Sequence, residues 1–208
     1  MKINPLLITM ILLFSLETVS AQPDGPEAPP LLAYLKAGVG LPKTGWVSGE
    51  ILLRQRWSFS LFYTRSERNS SNVPVDYYQD AFATSSTAVP EQLTSFGATA
   101  GVAARLSAYT RVRLYLKTGV GFGQFNTPAN FIRAAGNSYP NYDYQIVRHN
   151  ATSWLLHLGF DFPIIPFYGL SVGGFAHLNK HWKVVGVDIA HNLGYFAGIR
   201  PERKKPDK

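Results

Sequence analysis

Hydrophobic and polar residues alternate with a period of two along most of this chain, and helical periodicity is almost absent. The clearest case is 111–124, where Val112, Leu114 and Leu116 alternate with Arg111 and Arg113. The pattern predicts eight strands, at residues 31–40, 46–55, 57–65, 95–106, 111–124, 152–162, 168–178 and 184–199. Together they predict an all-β fold.

Apart from Arg65 at the end of the third, the charged residues within these predicted strands fall in the polar phase of the alternation. They are Lys36, Glu50, Arg54, Arg105, Arg111, Arg113, Lys117, Asp161 and Asp188. A soluble sandwich would turn this polar face to water, but the face is rich in glycine, which weakens a solvent-exposed strand. Glycine instead suits a narrow lumen that must admit long side chains. We therefore predict an eight-stranded antiparallel up-and-down transmembrane β-barrel, with apolar residues toward lipid and charges inside.

The connections between the predicted strands differ in length in a regular way. The even-numbered connections are short, and two odd-numbered ones are long, at about 66–94 and 125–151. Short periplasmic turns and long outer loops are typical of bacterial outer-membrane barrels. The two loops are rich in aromatic residues, so we expect them to contact an extracellular or envelope protein partner. The apolar belt is expected to contact outer-membrane lipid and lipopolysaccharide.

Four tryptophans lie at the ends of predicted strands. They are Trp46, Trp57, Trp154 and Trp182. Because amphipathic rings favour the membrane–water interface, we predict all four as interface aromatics.

The first residues have the three parts of a secretory signal. Lys2 is basic, 6–14 is an almost unbroken apolar run, and Val19-Ser20-Ala21 places small residues before a cleavage site. The run is shorter than the roughly 20 residues of a membrane-spanning helix. The predicted organisation is a signal peptide at 1–21, a linker at 22–30, the barrel at 31–200 and a basic periplasmic tail at 201–208.

Charge and residue types exclude several classes of function. The formal net charge is +7, but Lys and Arg are scattered along the chain except in the tail, so no nucleic-acid partner is predicted. The absence of cysteine excludes a disulfide scaffold and thiolate chemistry. His177 and His181 are four residues apart on a strand, a span of about 13 Å that is too long for one metal ion. We predict no metal, no cofactor and no catalytic residue.

Two segments carry a resemblance to a known family. They are Lys117 to Gly123, read as KTGVGFG, and the closing strand Leu193 to Arg200, read as LGYFAGIR. Over about 30–200 the chain resembles the small outer-membrane β-barrel proteins of Gram-negative bacteria, in particular the PorT-like outer membrane β-barrel domain group. The resemblance implies the same fold and location. The chain departs from such barrels by continuing past the usual terminal aromatic into 201–208.

Three functions are compatible with such a barrel. The first is a structural or interaction role, with the lumen filled by a charge network. Its predicted members are Lys36, Glu50, Arg54, Arg105, Arg113, Lys117, Asp161 and Asp188. The second is a narrow channel for small solutes, and the third is a lipid-modifying enzyme, for which Ser171 and His177 are the nearest candidates. We expect the first, because eight strands enclose little more than room for side chains.

Overall fold

Eight antiparallel strands form a closed barrel in chain order, with β1 paired to β8. The computed structural model describes residues 31–79, 88–106, 112–136 and 139–195. The strands are β1 (Leu31–Leu41), β2 (Thr44–Leu53), β3 (Trp57–Asn69), β4 (Pro90–Arg105), β5 (Arg113–Arg133), β6 (Tyr142–Ile165), β7 (Tyr168–Leu178) and β8 (Lys183–Tyr195). The predicted eight-stranded, all-β, up-and-down fold is confirmed. Within the described ranges, no helix is long and apolar enough to span a bilayer.

Several predicted segments lie outside the described residues. These are the leader 1–21, the linker 22–30, the last part of the predicted closing strand and the tail 201–208. Of the described chain, two ends of the barrel can be distinguished. The loop end carries the connections 42–43, 70–89, 134–141 and 179–182, and the turn end carries 54–56, 106–112 and 166–167.

The predicted loop 125–151 is wrong over most of its length. The pairing of β5 with β6 continues past Gly123 and Ala151 as far as Arg133 and Tyr142, so a two-stranded extension rises from the loop end. The connection itself is only 134–141, and the other predicted loop, 66–94, shortens to 70–89. The extension carries several exposed polar residues, such as Asn130, Asp143 and Gln145, so its apolar residues do not alternate with a period of two.

The barrel is apolar outside and charged inside, the reverse of a soluble protein. On β1, Leu35 is 59% exposed whereas its neighbour Lys36 is fully buried. The same contrast recurs on every strand. Exposed apolar side chains include Val47, Ile51, Phe59, Leu61, Phe96, Val120, Phe122, Leu158, Val172, Val187 and Ile189. Buried charged ones include Glu50, Arg113, Lys117, Asp161 and Asp188.

Several glycines at inward-facing strand positions allow close contacts between neighbouring strands and with an inward side chain. A Cβ on Gly159 would lie 2.6 Å from the hydroxyl of Tyr115, and one on Gly173 would lie 2.9 Å from the same atom. A Cβ on Gly119 would clash with the carbonyl oxygen of Ala98 on the neighbouring strand. The glycines therefore admit an inward tyrosine and a close approach of strands, rather than the arginines that the sequence suggested.

Candidate functional site

A cluster of opposite charges crosses the middle of the lumen. Nζ of Lys36 lies 2.7 Å from Oδ1 of Asp161 and 3.8 Å from Oε2 of Glu50. Lys117 donates a hydrogen bond to Glu50 from the other side. The four side chains come from β1, β2, β5 and β6, so the cluster joins strands on opposite walls.

Three further charged or titratable side chains lie beside these four. Nε2 of His157 lies 2.9 Å from Oδ2 of Asp188. Arg113 is buried and stands directly opposite Asp161 in the register of β5 and β6. Together with the four central residues, the cluster thus holds three cations and three carboxylates besides His157. The buried charge is balanced, as low-dielectric burial requires.

Two predicted members of the charge network lie elsewhere. Arg54 is exposed in the turn that joins β2 to β3, where its φ is 48°. Arg105 is exposed at the end of β4 and donates a hydrogen bond to Gln55. Both lie at the turn end, where arginine reaches water instead of the lumen. Of the five cationic members of the predicted network, three are therefore buried in the lumen: Lys36, Arg113 and Lys117.

Neutral side chains satisfy the remaining acceptors of the charge cluster. Ser171 donates a hydrogen bond to Asp161, and the amide of Asn192 lies 2.7 Å from the same serine oxygen. His177 lies six residues further along β7, among residues that line the upper lumen. The structure therefore does not bring Ser171 and His177 together, which removes the candidate pair for an enzyme. In the described part of the chain, no three His, Asp or Glu side chains come together as a metal site.

An apolar layer closes the lumen below the charges. This turn-end plug consists of Leu32, Tyr34, Leu52, Ala103 and Tyr115. Nζ of Lys36 lies 4.1 Å from the centroid of the Tyr115 ring, and Nζ of Lys117 lies 4.9 Å from it. The ring thus contacts both lysines by cation–π interaction and separates them from the turn end.

A small polar chamber lies on the loop-end side of the charges. Its volume is about 60 Å³, and Trp46, Thr64, Lys117, His157 and His177 are among its lining residues. Nε1 of Trp46 and Nε2 of His177 are buried and have no hydrogen-bond partner within the protein. Because one water needs roughly 10–15 Å³ of such space, the chamber has room for a few waters that would satisfy both atoms.

A second apolar layer covers this chamber. This loop-end lid consists of Leu93, Phe125, Trp182 and Val184, with Phe175 packed between the lid and the chamber. The guanidinium of Arg68 lies 4.5 Å from the ring centroid of Trp182 and is paired with Glu91 at 2.7 Å. Clusters of buried apolar side chains therefore lie on both sides of the charge cluster.

The lid also corrects the prediction for the tryptophans. Trp57 is exposed and Trp154 lies in the outward phase of β6, whereas Trp182 is only 1% exposed and Trp46 faces the chamber. Trp46 and Trp182 therefore do not lie at a membrane interface. The alternation contained this information, since Trp46 shares the phase of Ser48 and Glu50.

The extension is fixed to the connection 70–89. The hydroxyl of Tyr142 donates to the Asp76 carboxylate at 3.0 and 3.1 Å, and the backbone N of Tyr78 donates to Oδ1 of Asn141 at 2.7 Å. The hydrogen bond to Asp76 raises the pKa of Tyr142. Tyr77 packs edge-on against the rings of Phe131 and Tyr144. The loop and the hairpin tip therefore form one folded unit above the barrel.

Comparison with known proteins gives weak structural likenesses only. No family model and no curated protein matches the chain, so the resemblance to the PorT-like group stays a prediction. The outer membrane protein Ail of Yersinia pestis in a nanodisc matches with a TM-score of 0.47 and 15% identity, over 79% of this chain and 99% of Ail. The N-terminal β-barrel domain of Pseudomonas aeruginosa OprF gives 0.46 and 12%, over 79% and 96%. Neisserial surface protein A gives 0.44 and 13%, over 79% and 93%. Likeness at this level carries no argument about what the chain does.

Proposed function

We propose that the protein is an outer-membrane barrel of a Gram-negative bacterium that does not conduct and that anchors an interaction surface outside the cell. The observation that carries this proposal is the inverted wall, with Leu35 exposed and Lys36 buried side by side. Exposed apolar side chains on every strand are stable only against lipid, and in lipid the closed barrel leaves no unpaired strand edge.

The closure of the lumen supports an anchoring role over a channel. A conducting path would have to pass the Tyr115 ring, the balanced charge cluster and the Trp182 lid in series. The charges pair with one another at hydrogen-bond distance instead of lining an open path. In this proposal the barrel has no catalytic residue. Its apolar belt contacts membrane lipid, including lipopolysaccharide of the outer leaflet.

The extension supplies the interaction surface. Its exposed apolar side chains, Ile132, Tyr139, Tyr144 and Ile146, lie beyond the part of the barrel that lipid would cover, as does Val75 of the connection 70–89. Within the described ranges, residues 142–153 of β6 pair only with β5, so one strand edge is open. An exposed edge beside apolar residues suits an extended segment of a partner protein, which would add a strand.

Two measurements test this proposal. In planar lipid bilayers the wild-type protein is expected to insert without steady conductance. Heat-modifiability of the protein recovered from the same lipid on SDS gels verifies separately that the barrel has folded and inserted. Steady wild-type conductance would instead support the channel.

Orientation is tested by labelling intact cells with a membrane-impermeant maleimide, because the chain has no cysteine of its own. Val75→Cys, 93% exposed in the loop 70–89, should be labelled at once. Pro166→Cys in a turn-end connection should be labelled only after the cells are permeabilised. The opposite order would place the extension in the periplasm.

A further inference from the structure

Two histidines from different elements stack at the mouth of the lumen. His149 lies on β6 in the inward phase and is half-buried, and His181 lies exposed in the connection between β7 and β8. Their ring centroids are 5.0 Å apart and their planes differ by 22°. Phe125, a member of the loop-end lid, stacks on both rings at 6.4 and 6.0 Å.

This stack is attached directly to the residue that closes the chamber. His181 precedes Trp182, and the backbone N atoms of both residues donate to Oδ1 of Asn179, at 2.8 and 2.6 Å. The ring of Trp182 meets Phe125 edge-on at 5.4 Å. A movement of the 179–182 connection that separates His181 from His149 would therefore also move Trp182 away from Phe125.

The charged residues next to the two histidines in the chain are positive. They are Arg148, which precedes His149, and Lys180 and Lys183, which flank His181 and Trp182. On the strands that carry the lid, Arg68 is paired with Glu91, which also accepts hydrogen bonds from Ser70 and Thr127, and Glu67 lies beside Arg68 on β3. Arg68 lies over both Phe125 and Trp182.

Protonation changes the interaction between the two rings. Neutral imidazoles stack favourably on each other and on Phe125, as aromatic rings do at such separations. Two imidazolium ions 5.0 Å apart repel each other. One charged ring is still compatible with the stack through its contact with Phe125. Two charged rings are the state that this stack disfavours.

We propose that His149 and His181 form an acid-sensitive latch that opens the chamber to the outside when both are protonated. The 179–182 connection then swings away with Trp182, while the turn-end plug stays closed, so solvent enters the chamber but does not cross the barrel. Opening of the 179–182 connection does not require a partner bound to the extension.

The test uses one introduced cysteine in folded protein in liposomes. Thr64→Cys places a thiol in the wall of the chamber, and Val75→Cys provides an exposed reference thiol. The rate of modification by a small methanethiosulfonate reagent is measured for each at several pH values. The ratio of the two rates cancels the common effect of thiol ionisation. The ratio is expected to rise at least tenfold from pH 7.5 to pH 5.

Matched variants separate the latch from other causes. His181→Phe keeps a ring for the stack but has no proton to gain, so its ratio should stay low at both pH values. His177→Gln removes the chamber histidine and should leave the rise unchanged. A rise that persists in His181→Phe, one that disappears in His177→Gln, or no rise in the wild-type background would each overturn the proposal. Unheated mobility on SDS gels verifies that every variant is folded.

Discussion

Nζ of Lys36 and Oδ1 of Asp161 lie 2.7 Å apart in the centre of the lumen, although 125 residues separate them in the chain. Both side chains are almost completely buried. Since β1 and β6 are not neighbours in the barrel, this ion pair joins two walls that backbone hydrogen bonds do not connect. The ion pair therefore links β1 to β6 across the barrel and also occupies the centre of the lumen.

Removing one partner of this brace should destabilise the barrel strongly. Asp161→Asn leaves the Lys36 ammonium without its nearest carboxylate, at a cost of about 3–5 kcal/mol if the site stays dry. The free energy of unfolding in urea, measured in lipid vesicles, provides the test. Lys36→Met combined with Asp161→Asn should lose less than the sum of the two single changes. Additive losses would show that the two side chains do not interact.

An exposed ion pair on the same barrel offers a control. Arg65 and Glu67 lie 3.0 Å apart on β3 with their side chains largely in solvent. Arg65→Gln should change the free energy of unfolding by less than about 1 kcal/mol. A loss as large as that of Asp161→Asn would mean that burial does not govern these energies.

The barrel wall is expected to face lipid and the extension to face water. The same substitution should therefore have different effects at one exposed apolar position on each. Leu35→Arg, near the middle of β1, should destabilise the folded barrel in bilayers by about 2–4 kcal/mol. Ile146→Arg, on the extension, is similarly exposed and should have little effect, because it lies in water. Equal costs at both positions would place the extension in lipid or the belt in water.

Two adjacent glycines on β7 provide a test of the packing around Tyr115. An added Cβ at Gly173 would meet Asp188 Oδ1, Leu158 O and the Tyr115 hydroxyl at 2.9 Å, whereas at Gly174 the nearest atom would be Gly186 O at 3.5 Å. Gly173→Ala should therefore cost about 1–3 kcal/mol of folding free energy in urea titrations. Gly174→Ala should be nearly neutral, and a larger loss there would contradict the described lumen.

The clamp between Tyr142 and Asp76 should control the loop without affecting the barrel. Tyr142→Phe removes the donor, so the 70–79 segment should be cleaved faster by added protease while heat-modifiability is unchanged. Because the pKa of Tyr142 is raised, the clamp is intact below the ordinary tyrosine pKa and is lost as pH rises through the raised value. Cleavage should accelerate in that alkaline range, and a rate independent of both changes would rule out the clamp.

The sequence predicted the strands that lie in the belt because lipid on one side and a polar lumen on the other impose a period of two. It located β7 at Tyr168–Leu178 without error. The extension of β5 and β6 was missed because its apolar and polar residues do not alternate as they do in the belt. Arg54, Arg105 and Trp182 were misplaced for another reason, since strand ends and turns are decided by local backbone geometry that alternation does not report.

The pairing of specific charges was also beyond the sequence. Alternation places Lys36 and Asp161 in the lumen but does not indicate that they meet, because that depends on the register of all eight strands. The loop-end lid and the stack of His149 on His181 arise in the same way. They bring together side chains from strands and connections that no sequence pattern links.

Nitroxide scanning along β1 tests the central claim, an apolar wall in lipid around a closed charged lumen, most directly. Single cysteines at positions 33 to 39 are spin-labelled in liposomes, and collisions with oxygen and with a water-soluble nickel chelate are measured. Oxygen accessibility should oscillate with a period of two, with maxima at Ala33, Leu35, Ala37 and Val39, and the nickel chelate should reach neither phase. High nickel accessibility at Lys36 would reveal an open aqueous lumen. The absence of any oscillation would contradict the membrane-spanning barrel itself.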